Sequence, residues 1–182
     1  MSLRLWLLER YLPGPIRRPM LQQLIQTTAD AFDVPAPTMP DAASDTIVPA
    51  FAQFTRTAAE NLVAGSPRAD AVRDRLYRGA REIGGSIRRC AGIRTPDEAV
   101  RALHLVYRAI GIDLHTDLAT REVVVRRCEF SSHYTPAVCR VVSALDAGLF
   151  HGITGRWGVA FDRRITEGAT LCRARLTEGE LP

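Results

Sequence analysis

Three of the four cysteines in this 182-residue chain fall within its last third. Cys128 follows the apolar run Val123-Val124-Val125, Cys139 opens a helix announced by Thr135-Pro136, and Cys172 lies in the segment Leu171 to Leu176. A strand, a helix and a strand thus each bring one thiol toward a shared interior, beside His133 and His151. Such a convergence fits three chemistries: a reactive thiol site, a metal site or a thiol-lined core. Cys139 is the fourth residue after the cap Thr135. Near the positive end of a helix dipole, its thiol is expected to have a lowered pKa, which makes it the candidate nucleophile or acid/base. His133, six residues earlier, is the candidate proton partner, if its loop folds back over the helix start. Asp146 shares a helical stripe with Cys139, Val142 and Leu149. A carboxylate on an otherwise apolar face needs a partner, and Arg126, Arg140 or a histidine would serve.

Cys128, Cys139 and Cys172, with a histidine as fourth ligand, would suit zinc or an iron–sulfur cluster. Structural zinc sites usually contain a pair of cysteines two to four residues apart, and this chain has none. The expectation is therefore no cofactor, with zinc or a cluster as the alternative. Alternation along the last strand turns Cys172, Ala174 and Leu176 inward and Arg173 and Arg175 outward. The same counting places Cys128 on the face opposite Val125. Arg126 and Arg164 are candidate anchors for a substrate carboxylate by bidentate contact. Tyr107, Trp157 and Phe161 are candidate substrate-binding aromatics.

The elements that must position these groups are legible from periodicity and punctuation. Leu3, Trp6, Leu7 and Tyr11 recur at helical spacing up to Pro13-Gly14-Pro15, and a second helix is expected over 16–32 with Leu21, Leu24, Ile25 and Phe32 inward. A proline-rich connector spans 34–45, followed by a helix over 47–63 that closes at Gly65. Ser66-Pro67 caps a helix carrying Leu76, Tyr77, Ala80 and Ile83, in which Gly79, Gly84 and Gly85 permit close approach of another backbone. Thr95-Pro96-Asp97-Glu98 is a capping box opening a helix that buries Val100, Leu103, Val106 and Tyr107 and ends at Gly111. Strands are expected over 122–127, 156–163 and 170–176, with a helix over 136–150 between the first two. A tight turn at Thr166-Glu167-Gly168 joins the last two strands as a hairpin. The result is one α+β domain: a helical N-terminal part (1–65), an α+β ligand-binding or catalytic part (66–176) built on a small antiparallel sheet with a strand-helix-strand-strand unit, and a tail (177–182).

Composition sets outer limits. All 24 basic residues are arginine, which excludes lysine Schiff-base and lysine general-base chemistry. The net charge of +4 is modest and the arginine doublets are scattered, which argues against nucleic acid as a partner. No apolar run reaches the roughly 18 residues a membrane span needs, so no membrane partner is expected. Sparse cysteines and the lack of a signal-type cleavage site point to a reduced, cytoplasmic protein. The amphipathic start, 3–11, would suit either its own core or a second copy in a homodimer.

Cys128-Glu129-Phe130, Pro136-Ala137-Val138-Cys139, the run Phe161 to Gly168 and Cys172-Arg173-Ala174-Arg175 together resemble the L-2-amino-thiazoline-4-carboxylic acid hydrolase family. Tyr77-Arg78-Gly79 through Gly85, Thr95-Pro96 to Gly111 and Gly148 to Gly155 resemble the vinyl-reductase-type small-molecule-binding domain. Arg173 stands where the hydrolase pattern places an acid. Phe161 and Arg164 stand where zinc-binding members of the sensing domain place an acid and a cysteine. The first resemblance implies a small cytoplasmic enzyme of biosynthesis acting on a small organic acid or heterocycle, hydrolase-like and thiol-assisted, with Cys139, His133 and Asp146 catalytic. The second implies a non-catalytic ligand-binding module, dimeric in one version, with an apolar pocket walled by Phe150, Trp157 and Phe161. A metal or iron–sulfur protein using Cys128, Cys139 and Cys172 is the third reading.

Overall fold

The computed structural model describes residues 14–38, 46–62 and 65–178. The expected helix over 3–11 and residues 39–45 of the proline-rich connector lie outside the described residues. Within them the chain is α+β, with helices leading and a four-stranded antiparallel sheet following.

Helix α1 (Gly14–Phe32) buries Leu21, Leu24, Ile25 and Phe32 as its periodicity requires. Its buried Thr28 hydroxyl donates to the Leu24 carbonyl at 2.7 Å. Helix α2 (Ile47–Ala59) ends sooner than expected. Helix α3 (Pro67–Ala91) is capped by Ser66, which accepts from the Ala69 N–H at 3.2 Å, and stops at Gly92 in the left-handed conformation (φ +66°). Helix α4 (Pro96–Ala109) has both bonds of the Thr95/Glu98 capping box. It buries Leu103, Val106 and Tyr107, whereas Val100 is only half-buried.

Strand β1 (Ile112–Asp117) follows Gly111 directly and was not expected. Only Ile112 and Leu114 among its inward positions are apolar; the third is Thr116, so the alternation reads weakly in the sequence. Strand β2 (Glu122–Cys128) pairs with it, helix α5 (Pro136–Thr154) crosses over, and strands β3 (Trp157–Arg163) and β4 (Cys172–Glu178) complete the sheet. The expected three strands are therefore four, in the order β1-β2-β4-β3. The expected hairpin is present, but its connection is longer than a tight turn: it holds a 3₁₀ turn at Ile165–Glu167 and Gly168 at φ +90°.

One departure from regular pairing matters for the site. Asp113 pairs with Arg127 but Leu114 pairs with Val125, so Arg126 is an extra residue in β2. This bulge shifts the alternation by one. Cys128 consequently faces the same side as Val125, opposite Ile112, rather than the side simple counting assigned.

Helix α5 packs lengthwise on α3 through glycine. A Cβ on Gly148 would collide with the Tyr77 carbonyl oxygen, and one on Gly152 with that of Arg81. From the other side, a Cβ on Gly84 would stand 2.7 Å from the Leu149 carbonyl oxygen. The two backbones touch where side chains would normally hold helices 8–10 Å apart. Arg88 then donates from Nη1 to the carbonyls of Ile153 and Thr154, at 2.9 and 2.7 Å, satisfying exposed ends of α5. By length and composition α5 does meet what a membrane crossing needs, contrary to the run-length count, but 67% of it is buried as the central helix of this core.

Gly152→Ala should cost about 3 kcal/mol through overpacking against α3. Gly85→Ala meets only the movable end of Arg89 at 3.4 Å, so better helix propensity should leave it neutral or up to about 1 kcal/mol more stable. Urea midpoints of the two variants test the contrast.

Candidate functional site

Where α5 begins, it overhangs the sheet instead of touching it, and a cavity of about 80 Å³ lies beneath. Thr135 caps the helix, accepting from the Val138 N–H at 3.3 Å, with Pro136 in the first turn. Cys139, Val142 and Asp146 line the cavity from α5, Cys128 from β2 and Cys172 from β4. Leu24 of α1 and Phe51 of α2 close the far side, and Tyr134, Ile165 and Thr166 come from the two loops. The three carboxyl-terminal thiols do share one cavity.

Its electrostatics differ from expectation. Burial pushes the Cys139 thiol up, and the Asp146 carboxylate adds to this. Cys139 lies one turn inside the helix, with its N–H already bonded to the Thr135 carbonyl at 3.0 Å, so the free amides of the helix end point elsewhere. Desolvation outweighs the dipole, and the expected thiolate is not favoured. Cys128 is pushed up to about 12, first by burial and then by Asp146. Burial likewise raises Cys172, whose sulfur accepts from the Ile165 N–H at 3.3 Å. All three are neutral thiols at physiological pH.

Asp146 is the charged centre. It is half-buried by accessible surface, but its carboxyl group is dense with neighbours, and desolvation raises it from 3.8 to about 6. Tyr107 of α4 donates to Oδ1 at 2.8 Å, and Arg164 attracts the carboxylate; both oppose the rise without cancelling it. Tyr107 is itself driven well above its ordinary value by burial and by Asp146. It therefore remains a donor to the carboxylate. Of the partners considered from sequence for Asp146, none makes the direct bond; Tyr107 does, having been assigned to substrate.

Three further polar atoms near the cavity have no hydrogen-bond partner: Tyr134 Oη, Thr166 Oγ1 and Arg164 Nε. The Thr166 hydroxyl stands by the Cys139 sulfur and favours its thiolate, yet lies outside bonding geometry. Thr55 is similarly placed by Tyr134 but donates instead to the Phe51 carbonyl at 2.7 Å. Arg164 is mostly buried; its Nη1 lies 3.8 Å from a Glu167 carboxylate oxygen, and its guanidinium is 5.5 Å from the Phe161 ring centre. Tyr134 and Thr166 were not expected at the site, because in the sequence they read only as loop and turn residues.

Other expected site residues stand elsewhere. His133 is half-buried and is not among the residues lining the cavity; its backbone N–H is bonded to the Phe130 carbonyl at 3.0 Å. The short 3₁₀ turn at Glu129–Ser132 turns Tyr134, not His133, toward the thiols. Arg126, the bulge residue, is exposed. Phe150, Trp157 and Phe161 do not line the cavity; Phe150 is fully buried core. His151 faces a different groove and its Nδ1 is 2.6 Å from the Tyr77 hydroxyl. Among the described residues no group of three or more His, Cys, Asp or Glu side chains is arranged to hold a metal ion, so Cys128, Cys139 and Cys172 share a cavity without forming a ligand set.

No protein-family model matches the chain, and no curated protein matches it. A larger open groove of about 760 Å³ runs between α4 and β1, lined by Arg101, His104, Arg108 and Arg127. It is a trough between a helix and an edge strand, larger and more polar than the thiol cavity, which is the one that gathers the three thiols around Asp146.

The Asp146 charge has a cost with a definite sign. With its folded pKa above the ordinary value, the native state holds a proton that the unfolded chain releases between about pH 4 and pH 6. The penalty is absent below that window and full above it, on the order of 3 kcal/mol. Asp146→Asn retains an acceptor for Tyr107, so its stability relative to the parent should improve by about 2–3 kcal/mol between pH 4 and pH 7.5. Urea unfolding at both pH values measures this.

Proposed function

We propose that this protein binds a small organic molecule in the thiol-lined cavity beneath the start of α5. One observation carries the reading. Apolar walls from Leu24, Phe51, Val142 and Ile165 surround a few convergent polar groups, Asp146, Tyr134 and Thr166, two of which lack any partner. Binding sites have this composition, whereas a finished core satisfies its polar atoms. The protonated thiols act here as polarizable lining. The resemblance read from the sequence to the vinyl-reductase-type ligand-binding domain points the same way, although no family model matches the chain and the pocket walls differ from those that resemblance implies.

A second reading, a hydrolase-like enzyme acting on a small organic acid or heterocycle, keeps one observation in its favour. Asp146 titrates near pH 6 at the cavity wall, a value suited to a general acid or base. In that case Asp146, rather than Cys139, carries the proton transfer. A neutral thiol without an adjacent base is a poor nucleophile.

Screening fragments of five to seven non-hydrogen atoms by thermal shift tests the first reading, since any ligand that prefers the native state raises its midpoint. Val142→Phe, whose ring fills the cavity, should abolish those shifts; Cys139→Ser should retain them. Shifts that persist in Val142→Phe place the ligand elsewhere. Turnover that Cys139→Ser destroys without any loss of binding favours the thiol-assisted enzyme instead.

A further inference from the structure

The charges and unpaired hydroxyls around the cavity select among ligands, given the reading that the cavity is a binding site. We infer that its ligand is an uncharged molecule bearing both a hydrogen-bond donor and an acceptor, of the amide or lactam class, and not a carboxylate.

Charge balance is the first reason. Asp146 stands in the wall, and Arg164 is the cation that acts on it, so the pair is neutral. Arg164 stands behind the lining rather than in it, with Glu167 3.8 Å away on one side and the Phe161 ring on the other, so it acts on the cavity through Asp146. A ligand carboxylate would place a second negative charge beside Asp146 in a poorly solvated space, where like charges repel strongly. A ligand ammonium would add a second cation to the Asp146–Arg164 pair and lose its hydration against Leu24, Phe51 and Ile165. The other titratable groups facing Asp146 are Tyr107 on α4, Cys128 on β2, Cys139 on its own helix, Cys172 on β4 and Tyr134 in the loop. All are neutral at physiological pH, so none offsets an added charge.

Hydrogen bonding is the second reason. Asp146, with one oxygen bonded to Tyr107, can accept a further bond from a ligand N–H. The buried hydroxyls of Tyr134 and Thr166 are without partners and can donate to a ligand carbonyl. A carboxylate offers no donor to Asp146, and a hydrocarbon leaves all three groups unsatisfied. Size is the third reason. A volume of about 80 Å³ is roughly half of the ~150 Å³ that holds benzene, so the ligand is compact and no larger than a small ring.

The test is an NMR titration of the whole chain with four probes of matched size: 2-pyrrolidinone, cyclopropanecarboxylate, cyclopentylammonium and methylcyclopentane. At pH 7.5, 2-pyrrolidinone should bind at least tenfold more tightly than the other three, with shifts centred on residues 139–146. At pH 7.5, where the probe stays ionised, Asp146→Asn removes the repelling charge and should strengthen cyclopropanecarboxylate about tenfold while leaving methylcyclopentane unchanged. Tyr134→Phe should weaken the lactam several-fold and leave methylcyclopentane unchanged. Carboxylate or ammonium binding as tightly as the lactam at pH 7.5 overturns the inference. Tightest binding by methylcyclopentane also overturns it, while the cavity remains a binding site. If no probe shifts the cavity residues, both the inference and the binding reading fall.

Discussion

The backbone contact between α3 and α5 sets the geometry of everything else. Gly148 and Gly152, four residues apart, let the carbonyls of Tyr77 and Arg81 rest directly on α5, and Gly84 returns the contact. Contacts this close favour Cα–H···O interactions and leave little freedom to slide or rotate. Arg88 fixes the far end through two carbonyls. With its carboxyl-terminal half anchored in this way, α5 has one available orientation. Its amino-terminal half then projects over the ends of β2 and β4, and the cavity is the space left between.

Within that space two electrostatic effects compete, and burial wins. Proximity to a helix start favours a thiolate, typically by 0.3–1 kcal/mol and only within the first turn. Desolvation of a thiolate among Val142, Ile165 and Phe130 is larger, and Asp146 repels a second negative charge. The chain thus concentrates its negative charge on one carboxylate and holds it with a tyrosine that cannot itself ionise there. A buried carboxylate bonded to a single hydroxyl is costly to stability, and such costs persist where a group has work to do.

Much of the architecture could be read from residues alone, and what was missed has definite causes. The caps at Ser66, Thr95 and Thr135 are local chemistry, so those helix starts agreed with the expectation, whereas α5 runs past its expected end at 150 to Thr154, stopping at Gly155. Alternation placed Cys172 inward correctly. The same rule misplaced Cys128, because a bulge at Arg126 depends on pairing with β1, a strand too polar to announce itself. The convergence of thiols was legible from strand, helix and strand order. Their protonation was not, since it depends on how many neighbours close around each sulfur. Tyr107 and Asp146 lie on different elements, 39 residues apart, and no spacing rule connects them. His133 looked suitable because it is near Cys139 in sequence, but its neighbour Tyr134, just after the 3₁₀ turn at Glu129–Ser132, is the residue that lines the cavity.

Sulfur in this protein is divided between two environments: Cys90 is exposed on α3, whereas Cys128, Cys139 and Cys172 are held neutral and largely shielded. Alkylating agents and peroxides attack thiolates, so the shielded trio is inert for as long as the fold is closed. Their labelling rate is therefore set by how often the chain opens around them. The molecule carries its own clock for local unfolding, with Cys90 as the solvent-exposed thiol to compare it with.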